Sequence, residues 1–202
     1  MAREILIIRH GETASNAARI VQTPETPLSE RGSDQARRLA ERLAAGGVER
    51  ILTSDLLRAL MTAEAVRATT QALLEVNSLL QERNFGDVRG TPYSELGDRN
   101  IFAYEFAPPG GETGAVFDAR VDEAWDAIRT CAAGVEARLA VVTHGLVCAA
   151  LTARHFELGG LVAPEGWANT SVTAVEGVAP WRVLRLDCTE HLDKTSRDGG
   201  AV

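Results

Sequence analysis

Lysine is almost missing from this chain: of its 21 basic residues only Lys194 is a lysine. Arginine is the default cation, so its presence at any one position carries little information. Cysteine is scarce as well. Cys131, Cys148 and Cys188 are odd in number, widely spaced and free of any Cys-x-x-Cys pair, which excludes a disulfide framework. They read as reduced structural thiols of a cytoplasmic protein. No stretch approaches the ~20 apolar residues of a membrane span. The early run Ile5 to Ile8, between charged neighbours, is too short for a secretion signal. A net charge of -7 argues against nucleic acid as a partner. No Gly-x-Gly-x-x-Gly or Gly-Lys-Ser/Thr loop is present, which speaks against a plain nucleotide-binding domain. The histidines, His10, His144, His155 and His191, lack the paired spacing of a metal site, so neither metal nor cofactor is expected.

At 202 residues the chain can bury one core without staples. Residues 4 to 8 form an Ile-rich run of the kind buried on both faces of a parallel sheet. Ala36, Leu39, Ala40 and Leu43 then fall at helical spacing and stop at Gly46-Gly47. "RILTSD" reads as a strand, "LLRALMTAEAVRAT" as a helix and "ALLEV" as a weaker strand. Residues 115 to 133 read as a helix, "RLAVVTH" as a strand and "GLVCAALTARHF" as a helix. "SVTAVEG" and "WRVLRLD" add two strands with antiparallel character. The alternation predicts an α/β fold, a three-layer α/β/α sandwich with a mostly parallel central sheet. One domain is expected over residues 1 to 188, with a polar tail from 189 to 202. Residues 77 to 114, rich in Gly and Pro, read as an inserted loop with a short helix near Tyr93 to Leu96.

Two strands run straight into His-Gly, at "ILIIRHG" and "LAVVTHG". Ligands gather at the carboxyl ends of the strands in open α/β sheets, so His10 and His144 are expected there together. Gly11 and Gly145 permit the tight turn, and a following helix start offers amides to an anion. Arg9 adds a planar fork suited to phosphoryl oxygens. A neutral imidazole can carry a phosphoryl group, and His10 is the better candidate nucleophile.

"RHGET" with Asn16 resembles the signature of the histidine phosphatase superfamily, the phosphoglycerate-mutase-like group. "PLSERG" with "QA", "TSDLLRALMTA", "LLQERNFGDVRG", "GGET", "VVTHG" and "NTSVT" follow in the family's order. The resemblance implies a phosphoglycerate-mutase-like fold and a metal-independent phosphatase. His10 would take the phosphoryl group, Arg9, Arg58 and His144 would bind its oxygens, and Glu82 would be the acid and base. Asn16, Gln22 and Thr23 would contact substrate, with Glu112 holding the pocket together. The chain departs from the pattern after Gln22, where Thr23 and Pro24 replace the usual glycine and the loop is a residue shorter.

Alternatives stay open at this point. Glu82 lies between Gln81 and Arg83 and also reads as an exposed salt-bridge partner. A phosphoglycerate mutase or a weakly catalytic binding module are further outcomes of the resemblance. The short separation of Glu82 from Glu112 favours the phosphatase branch, acting on a small-molecule phosphate monoester, and a homodimer is one assembly open to it. Phe85, Tyr93, Phe102, Tyr104 and Phe106, five of the seven Phe and Tyr residues, crowd the inserted loop. They read either as an apolar lid over the substrate or as a satellite core.

Overall fold

A computed structural model describes residues 1–97 and 99–193. The chain runs β1 (Glu4–Arg9), α1 (Ala14–Ala18), α2 (Glu30–Leu43), β2 (Val48–Thr53), α3 (Leu57–Thr70) and β3 (Leu73–Val76). It continues through α4 (Gly114–Ala133), β4 (Arg138–Thr143), α5 (Gly145–His155), β5 (Val172–Glu176) and β6 (Val183–Cys188). The six strands form one sheet in the order β3-β2-β4-β1-β5-β6. β3, β2, β4 and β1 are parallel, while β5 pairs antiparallel with β1 and with β6.

The unbroken apolar run of β1 follows from this position at the centre of the sheet. Strand side chains alternate between faces. Leu6 and Ile8 pack with Leu39, Ala40 and Leu43 of α2 and Ala59, Ala63 and Val66 of α3. Ile5 and Ile7 pack on the other face with Val121, Trp125 and Ile128 of α4 and Val147 and Leu151 of α5. With both faces covered, neither side of the strand tolerates a polar residue. Leu39 is fully buried, and truncating it to alanine would cost roughly 2–5 kcal/mol. No helix among the described residues is long and apolar enough to cross a membrane.

Helix α1 was not legible in the sequence, because five residues are too few for a hydrophobic period to show. A capping box makes it. Thr13 accepts from the backbone of Asn16, and the Asn16 side chain accepts from the backbone of Thr13. The start of α2 is pressed against the same loop: a Cβ on Gly32 would stand 1.9 Å from the Glu12 carbonyl oxygen, so only glycine fits.

Residues 77–113 carry three short 3-10 turns, Ser78–Leu80, Gly86–Val88 and Tyr93–Glu95. The last replaces the short helix expected near Tyr93. Phe85, Leu96 and Ile101 bury a small core with Val21, against which Tyr93, Phe102 and Phe106 pack. The segment after β6 turns back over α2, where Arg42 lies 3.3 Å from His191 Nδ1 and Arg38 pairs with Asp193 at 2.9 Å. Residues 194–202, the rest of the expected tail, lie outside the described residues.

Candidate active site

β1 and β4 are neighbours in register, with Arg9 opposite Thr143. The next residue on each strand is therefore a histidine beside a histidine. The His10 amide donates to the Thr143 carbonyl at 2.9 Å, and the two rings lie 5.1 Å apart. Both histidines are buried, His10 at the wall of a cavity of about 40 Å³.

The His10 ring is oriented by its own backbone. Nδ1 lies 2.7 Å from the Gly11 carbonyl oxygen, which can only accept, so Nδ1 carries the proton. The lone pair is left on Nε2. Arg58, buried in the first turn of α3, donates to it from Nε at 3.2 Å. Burial, reinforced by the charges of Arg58 and Arg9, holds His10 well below its ordinary value, so it is neutral at physiological pH. The loop behind is pinned: the His10 carbonyl accepts from Asn169 Nδ2 at 3.1 Å and from the Thr170 amide at 3.2 Å.

His144 is oriented by Ser54, whose hydroxyl lies 2.9 Å from Nε2. Ser54 Oγ also accepts from the Leu56 amide at 3.2 Å. On the other side of the ring, Nδ1 is buried with no hydrogen-bond partner among the described residues. Burial depresses this histidine too, with Arg58 and His10 adding to the effect.

Arg9 ends β1 and donates to the Trp167 carbonyl, while its Nε is buried without a partner among the described residues. Arg58 is pushed down to about 10 by burial and still keeps its charge near neutral pH. It also donates from Nη1 to the Thr23 carbonyl at 3.1 Å. Glu82 faces these cations across the cavity. Its oxygens accept from the Arg83 amide at 2.9 Å and the Leu146 amide, in the first turn of α5, at 3.2 Å. Burial nonetheless raises its pKa, against the pull of both amides.

Not all the residues expected here come together. Arg9, His10, Gln22, Thr23, Arg58, Glu82 and Gly145 line the cavity. Asn16 serves the cap of α1, and the Thr13 hydroxyl lies between its side chain and that of Gln22. Gly11 acts through its carbonyl and through its amide, which donates to Thr62 Oγ1 at 3.1 Å. Glu112 stands behind the cavity wall. It grips Arg120 with both oxygens, at 2.7 and 2.8 Å, and Arg120 in turn donates to the carbonyls of Leu79, Gln81 and Glu82.

Several neighbours escape sequence reasoning. Ser54 sits inside a matched segment, yet only the fold shows that it meets His144. Arg83 is buried and donates to three carbonyls, of Ala103, Phe106 and Glu112, which ties the inserted loop down. The Trp167 carbonyl has no side-chain signature at all. Phe85, Tyr93 and Phe102 stack edge to face and also line the cavity, so these rings are at once a satellite core and part of the wall. Among the described residues no group of three or more His, Cys, Asp and Glu side chains could hold a metal ion.

Comparison with known proteins gives the family. Residues 5–185 match the profile of the histidine phosphatase superfamily, branch 1. Over 95% of its length the chain is 33% identical to phosphoglycerate mutase-like protein 4 of Arabidopsis thaliana, 88% of which is covered. Over 75% of its length it is 37% identical to the metal-independent phosphoserine phosphatase of the same plant, 68% of which is covered. Among solved structures, Bacillus stearothermophilus YhfR superposes with a TM-score of 0.81 at 30% identity, over 94% of this chain and 99% of that one.

Proposed function

The chain belongs to the histidine phosphatase superfamily, and from that premise we propose a metal-independent phosphomonoesterase that works through a phosphohistidine. The observation that carries this reading is the His10 ring, locked with its Nε2 lone pair toward a cavity lined by Arg9, Arg58 and Glu82. In the first step Nε2 attacks phosphorus and the ester P–O bond breaks. Glu82, whose raised pKa keeps it protonated further up the pH scale, gives its proton to the leaving oxygen. In the second step the Glu82 carboxylate takes a proton from water. The hydroxide attacks phosphorus, the P–N bond breaks, and orthophosphate leaves with His10 restored.

Arg9, Arg58 and the His144 imidazole are suited to the equatorial oxygens, where charge is spread in the transition state. Two buried nitrogens without a partner among the described residues, Arg9 Nε and His144 Nδ1, support those roles, since a buried polar group left unsatisfied is costly. The substrate is a small-molecule phosphate ester. Three free cysteines suit a reducing compartment, the cytoplasm.

The test is hydrolysis of p-nitrophenyl phosphate in EDTA by wild type and His10→Ala, with acid-stable and acid-labile phosphate on the protein measured after quenching. Activity that survives chelation, disappears in the variant and leaves acid-labile phosphate on wild type alone is the expected result. Net interconversion of 2- and 3-phosphoglycerate outrunning phosphate release would replace the hydrolase reading with a mutase.

A further inference from the structure

In this acidic chain most surface arginines stand beside a carboxylate. Arg37 pairs with Asp34 and Glu41, Arg154 with Asp118 and Asp122, and Arg31 with Glu12. The arginines lining the cavity differ. Among the described residues Arg9, Arg58, Arg83 and Arg89 make no ion pair, and Glu82 is the only carboxylate lining the cavity. A phosphate monoester brings about two negative charges at neutral pH. Four guanidinium groups exceed that demand.

The four are not equivalent. Arg9 and Arg58 stand beside His10, and Arg83 spends its guanidinium donors on three backbone carbonyls. The Arg89 side chain has no hydrogen-bond or ion-pair partner among the described residues and is half-buried. Its backbone, in contrast, is held. The Arg89 amide donates to Gly86 at 3.2 Å, and the next amide, of Gly90, donates to the Val21 carbonyl at 2.7 Å, beside Gln22 and Thr23. The charge of Arg89 is felt inside: with burial and Arg9 it contributes to depressing Arg58. Arg89 is thus a cation on a fixed base that lines the cavity and has no ion-pair partner among the described residues, the kind of group that suits an anion.

We infer that Arg89 forms a second anion subsite of this cavity, so that the phosphomonoester taken by this protein carries another anionic group, carboxylate or phosphate, on its organic part. This rests on the phosphatase reading above. The rings of Phe85, Tyr93 and Phe102 line the same cavity and offer an apolar wall to the carbon skeleton.

Matched esters test it: 3-phosphoglycerate against glycerol 3-phosphate for a carboxylate, and fructose 1,6-bisphosphate against fructose 6-phosphate for a second phosphate. Steady-state kcat and KM are measured for wild type, Arg89→Gln and Arg89→Lys, with p-nitrophenyl phosphate as the common reference. Wild type should favour the more anionic member of at least one pair by roughly tenfold or more in kcat/KM, the range of a charge-assisted contact. Arg89→Gln should erase that preference through KM, and Arg89→Lys should restore part of it. The preferred pair tells carboxylate from phosphate. Equal losses on both members of each pair, or no wild-type preference in either, overturn the subsite while turnover of p-nitrophenyl phosphate leaves the phosphatase reading standing. Failure of wild type on every ester, p-nitrophenyl phosphate included, overturns both.

Discussion

Arg58 Nε donates to His10 Nε2 at 3.2 Å, with both side chains almost completely buried. The cation thus sits on the lone pair that our reading assigns to phosphorus. A positive charge against an unprotonated nitrogen keeps that nitrogen unprotonated, and the guanidinium has only to shift to an incoming phosphoryl oxygen to uncover it. On that reading the same residue guards the nucleophile at rest and binds the charge during transfer.

Replacing Arg58 by methionine should separate these two effects. His10 loses its nearest like charge, so its pKa should move up toward the ordinary 6.5, read by NMR titration of the imidazole. Turnover of p-nitrophenyl phosphate should fall by about 10²–10³-fold, the usual cost of one transition-state donor. An unchanged imidazole titration would show that Arg58 takes no part in holding the histidine down.

Glu82→Gln should be selective for the leaving group. A good leaving group such as p-nitrophenolate needs little protonation, whereas an alkoxide needs a full proton, so alkyl phosphates should lose ~10-fold or more beyond the loss seen with p-nitrophenyl phosphate. Because Glu82 is raised above its ordinary 4.5, wild-type activity on alkyl esters should decline on the alkaline side of that raised value. The variant should lack that limb. Equal losses on both esters would remove Glu82 from proton transfer.

The buried histidines set a pH dependence of stability. Both have folded pKa values below the ordinary 6.5, so between the two values the unfolded chain binds a proton that the folded chain does not. Stability therefore rises with pH in that window: it is fully present above 6.5 and declines as pH falls below it, by up to ~1.4 kcal/mol per pH unit for each histidine. Glu82, shifted upward, works in the opposite sense above 4.5 and makes the slope shallower. Urea unfolding at pH 8, 6.5 and 5.5 should show a drop only across the last interval, smaller in His144→Asn. A flat profile in wild type contradicts it.

Glu112 should act at one remove. Its two-point grip on Arg120 supports the Leu79, Gln81 and Glu82 carbonyls, and removing one partner of a mostly buried pair costs roughly 3–5 kcal/mol. Glu112→Ala should lower the melting temperature and reduce kcat while leaving KM for p-nitrophenyl phosphate within about twofold, because Glu82, not a phosphate contact, loses its base. A selective rise in KM would instead place Glu112 at the substrate.

Much of this protein is local information. The Ile-rich run of β1, the spacing of Ala36, Leu39, Ala40 and Leu43, and the paired strand-His-Gly turns were decided by the sequence alone, because hydrophobic period and turn chemistry act over neighbouring residues. The ordered motifs likewise marked Arg9, His10, Arg58, Glu82 and His144. Tertiary structure decided what those residues touch. Only the β1–β4 register sets the two imidazoles side by side, and only the packing of α3 brings Arg58 to Nε2. The Trp167 carbonyl under Arg9 and the Ser54 hydroxyl on His144 come from distant segments. The place of Glu112 behind the wall depends on Arg120, which no motif names. Such contacts join residues many positions apart, and tautomer, burial and charge are properties of the completed neighbourhood rather than of any stretch of chain.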